Sequence, residues 1–237
     1  MSEKSLHAVI KKHLEPDETK HEVRIGRFIA DIAVGNKIIE IQTRSFNMLR
    51  KRLDFYLNTC QEKSIGTCPK TNLGTYHVVL VYPLPRYKWL YWINKETNEI
   101  TKKRKSPKIG SIYDAIGELY KIKSFLNHEN LCICLIFVDL KEYRYLDGWS
   151  GDKKKGSTRC DRVPVNIVEE IYLDNVEDYH IFIHDALPEQ FTSKDYVAFA
   201  KVNIFTAQTT LNILDYLGIV KRVGKQGRTY VYERSKL

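Results

Sequence analysis

The sequence predicts an α+β protein of the broader α/β type, with a mixed sheet flanked by helices and a small C-terminal part of helices and a β-hairpin. Two continuous apolar runs of strand length, 76–82 and 131–138, are typical of strands buried on both faces. Upstream, residues 21–42 alternate apolar and polar side chains around Gly35-Asn36, a dipeptide that is typical of tight hairpins.

The other elements follow from local patterns. Helices are predicted where apolar residues recur every three or four positions, and a second hairpin where two short runs flank a polar turn. The resulting order is helix, three-strand meander, helix, strand, helix, strand. It fills a predicted first domain of residues 1–145. The predicted helices span 3–14, 45–58 and 111–126, and the second hairpin (88–93 with 99–103) is predicted as an insertion of about 86–107.

Two acidic residues interrupt the apolar strands of the meander. Ala30 and Ile32 fall on one phase of their strand and Asp31 on the other, because side chains repeat every two residues. Paired across the hairpin, Asp31 meets Glu40, and Glu40 shares a face with Gln42. Buried carboxylates without a partner are costly. Two hard oxygen ligands with room for water and phosphate suit Mg²⁺ or Mn²⁺.

Asp31, eight intervening residues and then Glu40-Ile41-Gln42 resemble the motif of the PD-(D/E)XK nuclease superfamily, which has the restriction-endonuclease-like fold. The element order described above resembles the core of that family. The resemblance implies a metal-dependent endonuclease that hydrolyses phosphodiester bonds of DNA. It assigns Asp31, Glu40 and the main-chain carbonyl of Ile41 to Mg²⁺ or Mn²⁺, and Gln42 to the attacking water.

Gln42 departs from the family pattern, in which Lys is the usual residue. A Gln amide orients water or contacts phosphate, but it carries no charge. A basic residue near or on the following helix, Arg44, Lys51 or Arg52, is an alternative source of that charge. Glu22 resembles the additional acid of several branches, which implies a supplementary ligand or a proton acceptor.

Ordinary ion pairs are the alternative explanation for the acids, with Arg24 or Arg27 as partners of Asp31 and Lys37 as the partner of Glu40. The missing Lys of the motif favours a second function of a different class. The protein would then be a sequence-specific DNA-binding protein, or regulator, built on an inactive nuclease-like scaffold. Metal affinity discriminates between the two functions.

The C-terminal part, predicted as a domain of residues 165–237, resembles a winged helix-turn-helix. A basic loop or linker is predicted over 146–164. The resemblance implies that the helix over 205–218 enters the major groove of DNA. A packing or protein-binding role of this domain stays open, as does an N-cap role for Thr206. The candidate base-reading residues are Thr206, Gln208, Thr209 and Asn212, and the candidate phosphate contacts are Lys221, Arg222, Lys225 and Arg228.

The charge balance predicts a polyanionic partner. Lys and Arg number 38 and Asp and Glu 29, which gives a net charge of +9. Basic residues cluster at 102–108, 153–155 and 221–228. Double-stranded DNA is the expected partner, because a winged helix suits a major groove better than A-form RNA. Dimerisation, by which many members of the superfamily cut both strands, stays open for this chain as a homodimer.

Membrane and secreted classes are not expected. The longest apolar run, 131–138, is too short to span a bilayer. Five cysteines without a C-x-x-C pair favour free thiols in a reducing interior over a zinc or disulfide framework, so a cytoplasmic location is expected.

Overall fold

A computed structural model describes residues 5–58, 76–145, 147 and 157–235 of the chain. The described helices are α1 (Ser5–Leu14), α2 (Arg50–Asn58), α3 (Ile116–Lys121), α4 (Ser193–Ala200) and α5 (Ile204–Tyr216). The described strands are β1 (His21–Ile25), β2 (Phe28–Val34), β3 (Lys37–Ile41), β4 (His77–Ile93), β5 (Ile100–Lys105), β6 (Leu131–Tyr145), β7 (Thr158–Leu173), β8 (Gln190–Thr192), β9 (Val220–Gln226) and β10 (Thr229–Arg234). Short 3-10 helices cover Glu18–Lys20, Phe46–Leu49, Ile112–Ala115, Lys123–Phe125 and Val176–Phe182.

A seven-stranded mixed sheet forms the larger part of the molecule. Its order is β1-β2-β3-β4-β6-β7, with β5 paired to the outer half of β4. The first three strands form an antiparallel meander, β3 and β6 run parallel to β4, and β7 is antiparallel to β6. The predicted coarse class, α+β with a mixed sheet flanked by helices, is therefore confirmed.

The predicted hairpin at Gly35-Asn36 is confirmed. Val34 pairs with Lys37, so the turn has two residues, and Gly35 adopts a φ of +59°. This conformation is open to glycine at little cost. The turn fixes the register of β2 against β3, and with it the position of every side chain downstream on β3.

Apolar side chains cover both faces of the sheet. On one face, Leu6 and Ile10 of α1 pack with the apolar residues of one phase of the strands, such as Ile39 and Val79. On the other face, α2 and α3 pack with the alternate phase, such as Ile38. The central strands are thus buried on both sides, as their continuous apolar runs predicted.

Several elements differ from the prediction. Strand β4 continues through Pro83 and Pro85 to Ile93, and it pairs with β6 along most of its length. The hairpin predicted as an insertion is therefore part of the main sheet. The helix predicted over 111–126 is divided at Ile122, where φ and ψ of −116° and 20° leave the helical region. Two 3-10 segments and the short α3 take its place.

The predicted domain division also differs from the described organisation. Residues 158–173 form β7, which pairs with β6 in the main sheet, where the prediction had a linker over 146–164 and a new domain from 165. Val163, Val165 and Ile167 alternate along this segment, and pairing with β6 extends the strand back into the predicted linker. The predicted linker residues 148–156 lie outside the described part of the chain.

The C-terminal segment places α4 and α5 against a small sheet of order β8-β10-β9. Thr192 caps α4 through a capping box with Asp195, and Asn203 caps α5 by accepting a hydrogen bond from the N–H of Thr206. Leu211 of α5 belongs to the same apolar cluster as the residues of α3, so the segment shares its core with the main sheet. In the described residues, no helix is long and apolar enough to cross a membrane.

Candidate active site and a neighbouring basic cluster

Asp31 and Glu40 lie next to each other on β2 and β3. The register pairs Ile32 with Ile39, so the next rung of the hairpin places Asp31 opposite Glu40. The regular ladder ends at Ile32 because the Asp31 carboxylate accepts a hydrogen bond from the main-chain N–H of Ile41 at 2.7 Å. A side chain thus accepts a main-chain N–H one residue beyond Glu40.

The strand alternation predicted around Asp31 breaks at this residue. Ala30 packs in the cluster on the α2 face, whereas Ile32 packs in the cluster on the α1 face. A strictly alternating strand would put both on one face. On the neighbouring strand, Glu22 has a φ of +53°, a left-handed conformation that interrupts β1 at the position facing Asp31. The distortion of β1 and the break in β2 coincide.

Glu40 is a buried acid, with 2% of its surface exposed. Its carboxylate accepts hydrogen bonds from Arg52 Nη1 at 2.8 Å and from the Tyr56 hydroxyl at 3.0 Å, both on α2. Burial, followed by the negative charge of Asp31, raises the pKa of Glu40 to about 7 despite these two partners. The pair of acids therefore stabilises an added proton or cation.

Asp31 is partly exposed and has a second neighbour. His7 Nε2 of α1 lies 3.2 Å from the Asp31 carboxylate. The predicted alternative partners differ from those described: Asp31 contacts His7 and the N–H of Ile41, and Glu40 contacts Arg52 and Tyr56. Of the three basic residues considered as substitutes for the motif Lys, Arg52 reaches the acidic pair.

Glu22 and Gln42 flank the pair without joining its hydrogen bonds. The Glu22 carboxylate lies 2.5 Å from Lys11 Nζ of α1 and is 60% exposed. Glu22 thus combines a left-handed backbone with a side chain that is paired to α1. Gln42 is half-buried directly after β3, and its main-chain N–H donates to the Val81 carbonyl at 2.9 Å.

The donor set suits a hard divalent cation that is completed by other ligands. In a β-ladder, the N–H and C=O of one residue point to the same neighbouring strand. The N–H of Ile41 points to Asp31, so we expect the Ile41 carbonyl on that side too. Mg²⁺ commonly binds one or two carboxylates together with waters and substrate phosphates. Among the described residues, there is no cluster of three or more His, Cys, Asp or Glu side chains that could hold a metal ion. The candidate site therefore has two carboxylates and one carbonyl.

A second buried carboxylate, Glu142 of β6, lies in a cluster of positive charges. Glu142 is 0% exposed, and its Oε1 accepts hydrogen bonds from the Arg144 guanidinium, one of them at 2.7 Å from Nε. Its Oε2 lies 3.7 Å from Lys88 Nζ, 3.6 Å from Arg159 Nε and 3.4 Å from Arg162 Nε. Burial raises the pKa of Glu142, but Lys88 and the arginines outweigh it and hold this pKa below its ordinary value.

Glu142 is absent from the candidate residues predicted from the sequence, and this cluster was missed. The four cations come from three strands, and the sequence separates Lys88 from Arg162 by most of a domain. Only the pairing of β4, β6 and β7 brings them together, so no local pattern could have found them.

The predicted DNA-binding residues of the C-terminal segment divide into two groups. Gln208 is exposed on α5, as are Lys221, Lys225 and Arg228 on the β9–β10 hairpin. The others are engaged within the protein: Asn212 Oδ1 accepts a hydrogen bond from Lys123 Nζ at 2.9 Å, Thr209 bonds the Phe205 carbonyl, Thr206 is half-buried, and Arg222 lies 3.2 Å from Asp215.

Asn212 is the clearest difference from the expected role, because the packing of α5 beside α3 ties its amide to Lys123. Of the predicted basic clusters, one is described as a strand and another is not described. Lys102, Lys103, Arg104 and Lys105 form the exposed strand β5, whereas 153–155 lies outside the described residues.

The described residues thus define an α+β protein whose mixed sheet carries an acidic pair and a basic cluster. Residues 4–174 match the model of a family described as a domain of unknown function, DUF8091, and the chain belongs to this family. The match ends directly after β7, so the family unit contains the whole seven-stranded sheet.

A relative in Treponema pallidum (strain Nichols), an uncharacterized protein, is 24% identical over 233 residues, which are 98% of this chain and 85% of the relative. No solved structure matches the chain. The similarity to the relative extends through the C-terminal segment, beyond the family match.

Proposed function

We propose that this protein is a metal-dependent DNA endonuclease whose active site is formed by Asp31, Glu40 and the Ile41 carbonyl. The observation that carries the proposal is the burial of Glu40, which is 2% exposed and lies opposite a second carboxylate, Asp31, on the adjacent strand. Such a pair is costly unless a proton or a cation compensates it. The order of helices and strands up to β6, and the parallel pairing of β3 with β4, support a restriction-endonuclease-like core.

Each residue of the site has a distinct role in this proposal. Asp31 and Glu40 hold Mg²⁺ or Mn²⁺, which lowers the pKa of bound water and offsets charge on the phosphate. Gln42, one position beyond the Ile41 carbonyl, orients the attacking water through its amide. Arg52 contributes the positive charge that Gln42 lacks, since its guanidinium already reaches Glu40. Glu22 remains a supplementary candidate, and its release from Lys11 would be required.

The C-terminal segment supplies DNA targeting in this proposal. The order β8, α4, α5, β9, β10 supports a winged helix-turn-helix, in which α5 reads bases and the hairpin contacts phosphates. The exposed residues Gln208, Lys221, Lys225 and Arg228 carry these contacts. Duplex DNA in the cytoplasm is the proposed partner, and dimerisation would allow cleavage of both strands.

Cleavage of supercoiled and linear DNA with Mg²⁺ or Mn²⁺ tests the proposal. We expect Asp31→Asn and Glu40→Gln to lower the rate by more than about 100-fold, because even an outer partner of a metal ligand is worth about 10- to 100-fold. The matched control is Asp54→Asn, which removes an exposed acid of α2 and should leave the rate unchanged. Metal-independent cleavage, or equal rates in all four proteins, would contradict the proposal.

The alternative function is DNA binding without catalysis, and one observation favours it. The Arg52 guanidinium lies 2.8 Å from Glu40, so a fixed positive charge stands close to where the cation would bind. If this ion pair replaces the metal, the wild type binds DNA without cutting it, and Asp31→Asn binds DNA equally well. Absence of divalent-cation affinity would then distinguish the scaffold from the enzyme.

A further inference from the structure

Two adjoining clefts lie just beyond the C-terminal end of β3, next to Thr43. The larger has a volume of about 270 Å³ and is lined by Lys88, Ser106 and Lys108, among others. The smaller, of about 30 Å³, is lined by residues that include Arg44 and Arg159. Both clefts share Thr43 and Arg162.

The clefts adjoin the basic cluster around Glu142. Within 4 Å of this one carboxylate lie Lys88, Arg144, Arg159 and Arg162, so the cations outnumber it. Arg144 makes two hydrogen bonds to Glu142, whereas Arg162 Nε is buried and makes none to the described residues. Burial, followed by the charge of Arg159, lowers the pKa of Arg162.

The buried Arg162 Nε favours a further hydrogen-bond acceptor in the clefts that Arg162 lines. Positive charges that are close together and withdrawn from water repel one another and lose hydration. Lys108 is paired with Asp114 at the rim, but Arg162 faces the clefts with its guanidinium only partly satisfied by Glu142.

We propose that Arg162, with Thr43, Lys88 and Arg44 around it, forms a phosphate-binding site. Guanidinium groups bind phosphate through paired, charge-assisted hydrogen bonds, and hydroxyl groups such as those of Thr43 and Ser106 can donate to its remaining oxygens. Thr43 directly follows Gln42, so the site adjoins the candidate active site. That the phosphate belongs to a nucleic acid rests on the proposed function. The anion site itself does not.

Binding without metal tests the site separately from catalysis. The full chain is titrated in EDTA with a duplex oligonucleotide that carries a 5′-phosphate and with the same duplex ending in a hydroxyl. We expect Arg162→Gln to weaken binding by about tenfold or more, the usual effect of losing a hydrogen bond to a charged group. The matched control is Lys37→Gln, which removes an exposed charge at the opposite end of β3 and should change binding less than about twofold.

Thermal unfolding of the wild type in phosphate and in chloride of equal ionic strength adds a readout that needs no variant. Phosphate should raise the Tm of the wild type and not that of Arg162→Gln. If Arg162→Gln loses more affinity for the 5′-phosphorylated duplex, the site binds a terminal phosphate. If it loses equal affinity for both duplexes, the site binds an internal phosphate. If only the Tm responds to phosphate, the site binds free phosphate. Unchanged duplex binding by folded Arg162→Gln, together with no Tm effect of phosphate on the wild type, overturns the proposal.

Discussion

Glu40 and Glu142 are two carboxylates buried in the same sheet, and their pKa values move in opposite directions. Glu40 is 2% exposed and Glu142 0% exposed, so their burial is nearly equal. Glu40 has one guanidinium partner and a neighbouring carboxylate, and its pKa rises to about 7. Glu142 has four cations within 4 Å, and its pKa falls below its ordinary value.

The difference shows that the partners, rather than the depth of burial, decide the charge of a buried acid. Around Glu40 the described side chains leave an excess of negative charge, which favours a cation. Around Glu142 the four cations stabilise the ionised carboxylate, and the buried Arg162 Nε favours a further acceptor. If both proposals hold, the cation site and the anion site would together suit a phosphodiester with its metal ion.

The largest expected effect is the loss of stability when the arginine partner of each buried acid is replaced. Arg144→Gln should destabilise the protein by about 3 kcal/mol, because it removes two charge-assisted hydrogen bonds from a fully buried carboxylate. Arg52→Gln should cost only about 1 kcal/mol, since Arg52 is 35% exposed and Glu40 can take up a proton instead. Urea unfolding at pH 7 measures both. Equal losses in the two variants would show that the acids do not differ as described.

The next effect concerns the pH dependence of stability at Glu40. Its pKa is about 7 in the folded protein and 4.5 in the reference state, so the wild type loses stability as the pH rises from about 5 to 8. The full difference corresponds to about 3 kcal/mol. Glu40→Gln lacks this loss, so its stability relative to the wild type should increase over that pH range. Urea unfolding at several pH values measures the gain.

Glu142→Gln provides the opposite control. The pKa of Glu142 is lowered, so its ionised form stabilises the protein above about pH 4.5 and that contribution is lost as the pH falls. This variant should therefore be least stable, relative to the wild type, at neutral pH and should approach it in acid. Parallel pH profiles for the two variants would be inconsistent with the comparison.

The smallest effect concerns DNA recognition by α5. Gln208→Ala should weaken specific DNA binding by about 1 kcal/mol, as expected for one lost base contact, because Gln208 is exposed. Asn212→Ala should leave specificity unchanged, since the Asn212 amide is bonded to Lys123. Fluorescence anisotropy with a selected duplex and a scrambled one measures both. A greater loss of specificity in Asn212→Ala would mean that α5 is displaced from α3 on DNA.

The sequence allowed prediction of what local patterns determine. Gly35-Asn36 fixes the hairpin register, and the register alone brings Asp31 and Glu40 together. Alternation could not reveal that the strand changes faces at Asp31, where the neighbouring strand carries the left-handed Glu22. The reach of Arg52 to Glu40 was one of three alternatives, and only the packing of α2 selects it.

Features that depend on distant segments could not be predicted. Strand β7 carries the alternating Val163, Val165 and Ile167, but its place in the main sheet depends on pairing with β6. The cluster around Glu142 requires β4, β6 and β7 to be adjacent, and the Asn212–Lys123 contact requires α5 to pack beside α3. Each of these contacts joins residues whose sequence neighbours give no sign of the partner.

Binding of Mn²⁺, measured by electron paramagnetic resonance at pH 8, tests the central claim that the Asp31–Glu40 pair is a cation site. At this pH Glu40 is largely ionised, because its pKa is about 7. We expect the wild type to bind Mn²⁺ and to bind it more weakly at pH 6, and Asp31→Asn and Glu40→Gln each to lose at least about tenfold in affinity. Equal Mn²⁺ affinity in the three proteins, or none in the wild type, would contradict the account.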